Sequence, residues 1–142
     1  MTTDYGVKKM FTDRRLTEAY EKARVEEFDE NSKYIFFSDI HRGNGSISDE
    51  FTRNRNTFLH ALNYYYNNGF TYIEAGDGDE MLEYSDFTYT KNAHDKVFDL
   101  IKKFFDDDRL IKLYGNHDIA LKNPKFVEKN YYTNYDEYTE EF

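Results

Sequence analysis

At 142 residues the chain is long enough for one domain with a real core, and 39% hydrophobic residues, with 13 Phe and 14 Tyr, exclude a disordered composition. The absence of cysteine excludes disulfides, thiolate metal sites and cysteine nucleophiles, so metal ligands must be oxygen or nitrogen atoms. A formal net charge of -9 argues against nucleic acid or an anionic membrane as the main partner. No stretch has the composition of a secretion signal or a membrane span, which favours a cytoplasmic protein.

The chain order predicts three regions. Residues 1–32 are polar and charged and predict an amino-terminal helical extension, with a helix over Arg14–Phe28. Residues 33–130 alternate apolar runs with helical periodicity and predict the core. Residues 131–142 form an acidic, Tyr-rich tail. Within the core we predict strands at Lys33–Asp39, Phe70–Ala75 and Leu110–Tyr114, and helices at Asp49–Asn68 and His94–Asp108.

Strands that alternate with helices predict an α/β fold with a parallel sheet and right-handed crossover helices. In such open sheets, functional sites form beyond the carboxyl ends of the strands. Each predicted strand here ends directly in polar side chains suited to metal binding. These clusters are Asp39-Ile40-His41, Gly76-Asp77-Gly78-Asp79-Glu80 and Gly115-Asn116-His117-Asp118. We therefore expect the clusters to meet at one edge of the sheet.

The residue types in these clusters suit a centre of two metal ions. Asp39 and His41 are two residues apart, so on an extended strand end they point the same way. Asp77 could bridge two cations, and Asn116 could give a neutral oxygen to the second. Two metal ions about 3.5–4 Å apart hold and deprotonate a water that attacks phosphorus, and they neutralise the phosphoryl oxygens. His117 could then protonate the leaving oxygen, with Asp118 orienting its ring.

Asp-x-His, Gly-Asp-x-x-Glu and Gly-Asn-His-Asp, in this order after apolar strands, resemble the calcineurin-like metallophosphoesterase family over residues 33–120. The resemblance implies a metallophosphoesterase-type α/β sandwich that hydrolyses a phosphoester with two metal ions, drawn from Mn, Fe and Zn. Family members carry a second half with a further His and a Gly-His-x-His motif. Here no histidine follows His117, so we expect an amino-terminal half whose metal sites need the missing carboxyl-terminal half for completion.

Several residues have alternative interpretations. Arg42 could contact a substrate phosphate or could be a solvated surface residue. Asp79 is predicted as an exposed turn residue, and Glu80 either as a helix cap or as part of the site. His60 and His94 are expected to be structural or surface residues.

Two other functions stay open. The chain could bind a metal or a protein partner without catalysis, because half of the implied site is missing. Alternatively, Asp77-Gly78-Asp79 resembles the Asp-x-Asp motif of haloacid-dehalogenase-type phosphatases, in which the first Asp is a covalent nucleophile. That interpretation leaves the other two clusters unexplained.

Overall fold

The structure, a computed structural model, describes residues 4–130, with side chains from Thr12 onward. The described part of the chain divides into two compact units, with the boundary between Ser32 and Lys33. In the first unit, helix α1 spans Asp4–Lys22 and so ends at Lys22 rather than at Phe28 as predicted. A basic residue in the last turn favours this end, and the acidic pair Glu26 and Glu27 would be unfavourable at a helix carboxyl terminus.

The second unit contains a three-stranded parallel sheet in the order β1-β2-β3. The strands are β1 (Tyr34–Phe37), β2 (Thr71–Ala75) and β3 (Leu110–Leu113). The helices are α2 (Phe51–Asn67), α3 (Phe87–Ala93) and α4 (Asp95–Asp106), followed by a 3-10 helix at Ile119–Lys122 and α5 (Pro124–Asn130). Helix α2 connects β1 to β2, and α3 and α4 connect β2 to β3. The predicted α/β class with parallel strands and intervening helices is confirmed.

Local sequence accounts for the end of α2. The helix stops at Asn67, and Gly69 follows with a φ of 76°, a left-handed conformation that glycine adopts without strain. The backbone N–H of Asn68 donates to the Tyr64 carbonyl and that of Gly69 donates to the Tyr66 carbonyl, which closes the last turn. The stop signal predicted at Asn67-Asn68-Gly69 is thus confirmed.

Helices α2 and α4 pack on one face of the sheet. The buried cluster between these helices and the sheet contains Phe51, Leu62, Tyr72, Val97, Leu100, Ile101 and Phe104. Alternation along β2 directs Tyr72 and Glu74 toward these helices, and Ile73 toward the opposite face. On that opposite face Phe36 and Leu113 are 63% and 54% exposed. A second cluster of Phe87, Leu121 and Val127 joins α3, the 3-10 helix and α5.

Among the described residues, no helix is long and apolar enough to cross a membrane. The predicted tail at residues 131–142 lies outside the described residues.

Candidate metal centre

The loops that follow β1 and β2 run side by side and extend the parallel pairing beyond the strands. Backbone N–H groups of the first loop donate to carbonyls of the second, at 3.2 Å from Asp39 to Gly76, 3.0 Å from His41 to Asp77 and 3.0 Å from Arg42 to Gly78. The loop after β3 joins them, because the His117 N–H donates to Asp77 Oδ1 at 2.8 Å. All three strand ends therefore meet at one edge of the sheet, as the sequence predicts.

Three candidate ligands sit on unusual backbone. Asp39, His41 and Asp77 have φ values of 51°, 50° and 51°, in the left-handed region that non-glycine residues rarely adopt. Such conformations cost on the order of 1–3 kcal/mol each and persist only where the surrounding structure enforces them. Here the enforcing contacts are the inter-loop hydrogen bonds. The bend turns these side chains toward one another at the sheet edge.

Two candidate metal-binding groups occur among the described residues, and the side chains of Asp39, His41 and Asp77 form the first. Each offers a ligand atom within 4.8 Å of the other two. His41 Nε2 lies 4.0 Å from Asp39 Oδ1, too far for a hydrogen bond but a gap that one cation about 2 Å from each atom would span. The Asp39 side chain is 71% exposed, so its carboxylate is accessible. The donor set of two carboxylates and one imidazole fits Mn, Fe or Zn.

His41, Glu80 and His117 form the second group, which shares His41 with the first. Glu80 Oε2 lies 2.9 Å from His41 Nδ1 and 2.7 Å from His117 Nδ1, and the two imidazole centroids are 4.4 Å apart. A hydrogen bond from Nδ1 to a carboxylate fixes a histidine tautomer and leaves Nε2 able to bind a metal. Glu80 thus orients His41 toward Asp39.

The hydrogen bonds of Glu80 shift its own pKa and that of His117. Burial disfavours the Glu80 carboxylate, but the hydrogen bonds from His117 and His41 more than offset it, so the pKa of Glu80 lies below its usual range. The hydrogen bond to Glu80 also raises the pKa of His117, and the negative charges of nearby Asp77 and Asp118 raise it further. His117 therefore keeps its proton to a higher pH than an ordinary histidine does.

Asp118 has a different position from the predicted one. It is fully buried, and its carboxylate accepts backbone N–H groups from Gly115 at 2.6 Å and Gly78 at 2.9 Å. It ties the loop after β3 to the loop after β2, whereas Glu80 is the residue that contacts the His117 ring. The prediction that Asp118 orients His117 is wrong, because the loop amides take its carboxylate oxygens.

Asn116 lies on the same loop, between Gly115, whose backbone approaches Asp77, and His117. Its side chain is exposed. A Cβ built on Gly115 would lie 2.3 Å from Asp77 Oδ1, so this loop needs glycine to pass Asp77 closely. Asn116 as a ligand of a second cation stays a prediction.

Arg42 and Asp79 are both buried, contrary to the surface positions expected for them. Arg42 is fully buried with its guanidinium hydrogen-bonded to Glu74 and Asp79, and it lies 5.3 Å from the Phe98 ring centroid. The predicted contact between Arg42 and a substrate phosphate is wrong, because the guanidinium points into the protein. Asp79 is likewise 0% exposed rather than a turn acid in solvent.

The remaining histidines are structural or on the surface, as expected. His60 is exposed on α2, and His94 is fully buried between α3 and α4. His94 Nε2 lies 2.8 Å from Asp49 Oδ2. The sequence did not predict the contact of Asp49 with His94. It also did not predict that Glu80 contacts both His41 and His117. The spacing Gly-Asp-x-x-Glu was the available signal for Glu80, but its partners lie 37 and 39 residues away.

An open cleft of about 480 Å³ borders the first group. It lies between the end of β1 and helix α2, and Asp39 and His41 are among its lining residues. The other lining residues are mostly apolar or neutral and include Phe37, Phe51, Asn54, Thr57 and Phe58. A small molecule could therefore reach the candidate ligands from this side.

Comparisons with known protein families, with curated proteins and with solved structures found no match to this chain. The resemblance to metallophosphoesterases thus depends on the three motifs and on the way their residues are arranged.

Proposed function

We propose that this chain is part of a metal-dependent phosphoester hydrolase of the calcineurin-like metallophosphoesterase type. The observation that carries the proposal is the convergence of Asp39, His41 and Asp77, from two different strand ends, within 4.8 Å of one another. Their donor chemistry fits a cation of the Mn, Fe or Zn class. Bound cations would lower the pKa of a water molecule and offset charge on the phosphoryl oxygens.

Each residue of the centre has a distinct role under this proposal. Asp39, His41 and Asp77 would bind one cation. Asp77 and Asn116 would supply two of the ligands of a second cation. His117 carries a raised pKa and would donate a proton to the leaving oxygen. Glu80 would keep both imidazoles in place. The finer fold assignment, a metallophosphoesterase-type sandwich, belongs to the same proposal.

The covalent alternative has less support. In an Asp-x-Asp phosphatase the second aspartate would act beside the first. Here Asp79 is fully buried and hydrogen-bonded to Arg42, and Asp77 Oδ1 accepts the His117 N–H. A buried, ion-paired Asp79 is a poor proton donor to a substrate in solvent.

Metal binding without catalysis is the second candidate. The observation that favours it is that the two cations would have unequal numbers of ligands. Among the described residues the first has three candidate ligands, and the second has Asp77 and Asn116. Binding and turnover must therefore be measured separately.

The experiment uses the 142-residue chain, Mn²⁺ as the metal probe and bis(p-nitrophenyl) phosphate as the substrate probe. We expect Mn²⁺ binding by calorimetry, and a loss of affinity of more than about tenfold in His41→Ala and Asp77→Asn. His60→Ala is the matched control, because His60 is exposed on α2 and should bind like the wild type. Turnover that depends on Mn²⁺ and on His41 supports the hydrolase, and binding without turnover supports the second candidate. No difference between His41→Ala and His60→Ala would overturn the proposed metal site.

A further inference from the structure

Four charged side chains form a buried network, and two of them are adjacent in sequence to His41 and Glu80 of the candidate metal centre. Arg42 and Glu74 are 0% exposed, as is Asp79, and Lys112 is 4% exposed. Arg42 Nη1 and Nη2 each donate to one Glu74 carboxylate oxygen at 2.7 Å, and Arg42 Nε donates to Asp79 Oδ1 at 2.8 Å. The Lys112 ammonium contacts Glu74 and lies 3.4 Å from Asp79 Oδ2. Two cations and two anions balance, so this buried network carries no net charge.

The network links the residues adjacent to the candidate ligands. Arg42 follows His41 in the first loop, and Asp79 precedes Glu80 in the second. The backbones of these loops are also paired, because the Arg42 N–H donates to Gly78 and the Arg42 carbonyl accepts the Glu80 N–H, both at 3.0 Å. The Arg42–Asp79 ion pair therefore fixes the spacing between the two loops that carry His41 and Glu80.

The two other members anchor the network to the sheet. Glu74 is in β2 and Lys112 is in β3, at paired positions of the two strands. Tyr72, in the buried core, also donates to Glu74 Oε2 at 2.5 Å. A Cβ built on Gly78 would lie 1.9 Å from Glu74 Oε1 and 2.8 Å from Arg42 Nη2, so the loop backbone packs against the network without space for a side chain.

Stability alone does not account for such a network. Desolvation of buried charges largely offsets their attraction, and apolar side chains of similar volume often stabilise a fold as well or better. A fork of paired hydrogen bonds, in contrast, fixes direction and distance as apolar contacts do not. We infer that Arg42, Glu74, Asp79 and Lys112 position His41 and Glu80 for metal binding. The part of this inference that concerns metal binding rests on the proposed function.

The test compares two variants that both loosen the interior. Arg42→Lys keeps the charge but loses the two-oxygen hydrogen-bonded fork to Glu74. Leu62→Ala removes a fully buried side chain of α2 and leaves the network intact. The comparison is made where the two variants lower the denaturation midpoint by the same amount. We then expect Arg42→Lys to weaken Mn²⁺ binding about tenfold, as substitutions of residues that support metal ligands commonly do. Leu62→Ala should bind Mn²⁺ like the wild type.

A second readout needs no metal. In the metal-free protein, NMR should show Nδ1–H signals of His41 and His117 in hydrogen bonds to Glu80. We expect Arg42→Lys to shift or broaden these signals and Leu62→Ala to preserve them. If Arg42→Lys does not fold, Asp79→Asn serves in its place, since it removes one charge with little change in volume.

The outcomes separate this inference from the proposed function. If Arg42→Lys and Leu62→Ala leave both Mn²⁺ affinity and the histidine signals unchanged, the network is only structural and the inference is overturned. If the wild-type chain does not bind Mn²⁺, the proposed function fails, while the histidine signals of the metal-free variants still decide whether the network positions the two loops.

Discussion

One carboxylate contacts both imidazoles of the candidate centre. Glu80→Gln would keep the side-chain volume and remove the charge. We expect the pKa of His117 to fall toward its usual value, because the hydrogen bond to Glu80 is the main cause that raises it. Mn²⁺ affinity should fall about tenfold, because His41 loses the carboxylate that orients its ring. NMR titration measures the first effect, and calorimetry measures the second.

Glu83→Gln is the control for this variant, since Glu83 is exposed in the same loop. It should change neither quantity measurably. An unchanged His117 pKa in Glu80→Gln would show that the hydrogen bond in the structure does not govern this histidine in solution.

The glycine before Asn116 permits a second prediction. In Gly115→Ala the new Cβ would lie 2.3 Å from Asp77 Oδ1 and 2.9 Å from the Asp77 backbone nitrogen, so Asp77 must move. We expect weaker Mn²⁺ binding than in the wild type, measured by calorimetry. Gly69→Ala is the control, because it has a φ of 76° and no atom within 4 Å of the added Cβ. It should cost about 1 kcal/mol of stability without changing Mn²⁺ affinity.

The sequence predicted which residues could be ligands better than it predicted their surroundings. The proximity of Asp39, His41 and Asp77 was predictable, because strand ends of a parallel sheet share one edge, whereas their role as ligands stays a prediction. The burial of Arg42 was not predictable, since it depends on Glu74 and Lys112, which lie in other strands. The residues next to a charged residue in the sequence do not show that it has a buried partner 32 or more residues away.

Element boundaries show the same contrast between local and distant causes. Helix α2 ends where Asn68 and Gly69 predict, because the stop is encoded in adjacent residues. The helix predicted over Arg14–Phe28 was placed wrongly. Its apolar stripe was weak, and Leu16 and Tyr20 are 64% and 86% exposed in α1. Residues 12–22 of α1 have no buried side chain, and without a buried face periodicity gives little information on helix ends.

Asp49 secures the beginning of α2 and the loop before it. Its carboxylate accepts the N–H of Phe51 at 3.0 Å and of Gly45 at 2.8 Å, and it contacts His94. We expect Asp49→Asn to lower the free energy of unfolding by about 1–3 kcal/mol, because the buried His94 loses its charged hydrogen-bond partner. Urea denaturation measures the loss. Asp99→Asn, on the exposed side of α4, should stay within about 0.5 kcal/mol of the wild type.

The whole molecule should lose stability in acid, because several of its carboxylates are paired in the folded state. Burial disfavours ionised Asp49, Glu74 and Asp79, but their partners more than offset it, so each pKa lies below its usual range. For Glu74 and Asp79 those partners are Arg42 and Lys112. A carboxylate with a lowered folded-state pKa stabilises the fold fully above its unfolded pKa of about 4, and this contribution disappears as pH falls further.

Urea denaturation between pH 7 and pH 3 tests the sign of this dependence. We expect these groups to leave the free energy of unfolding nearly constant from about pH 7 to 5 and to lower it below about pH 4. Asp49→Asn should reduce the acid-dependent loss, since it removes one of the groups that must take up a proton. A fold that is equally stable at pH 5 and pH 3 would contradict the assignment of these ion pairs.

The left-handed backbone at Asp39, His41 and Asp77 has a consequence for how any cation would be captured. A short synthetic peptide with the letters Asp-Ile-His would spend most of its time extended, so its side chains would have to be bent before they could chelate an ion. In the intact polypeptide, tertiary structure has already made that bend. Chelation and folding are thus thermodynamically linked, and a cation held by these side chains would also act as a stabiliser of the native state.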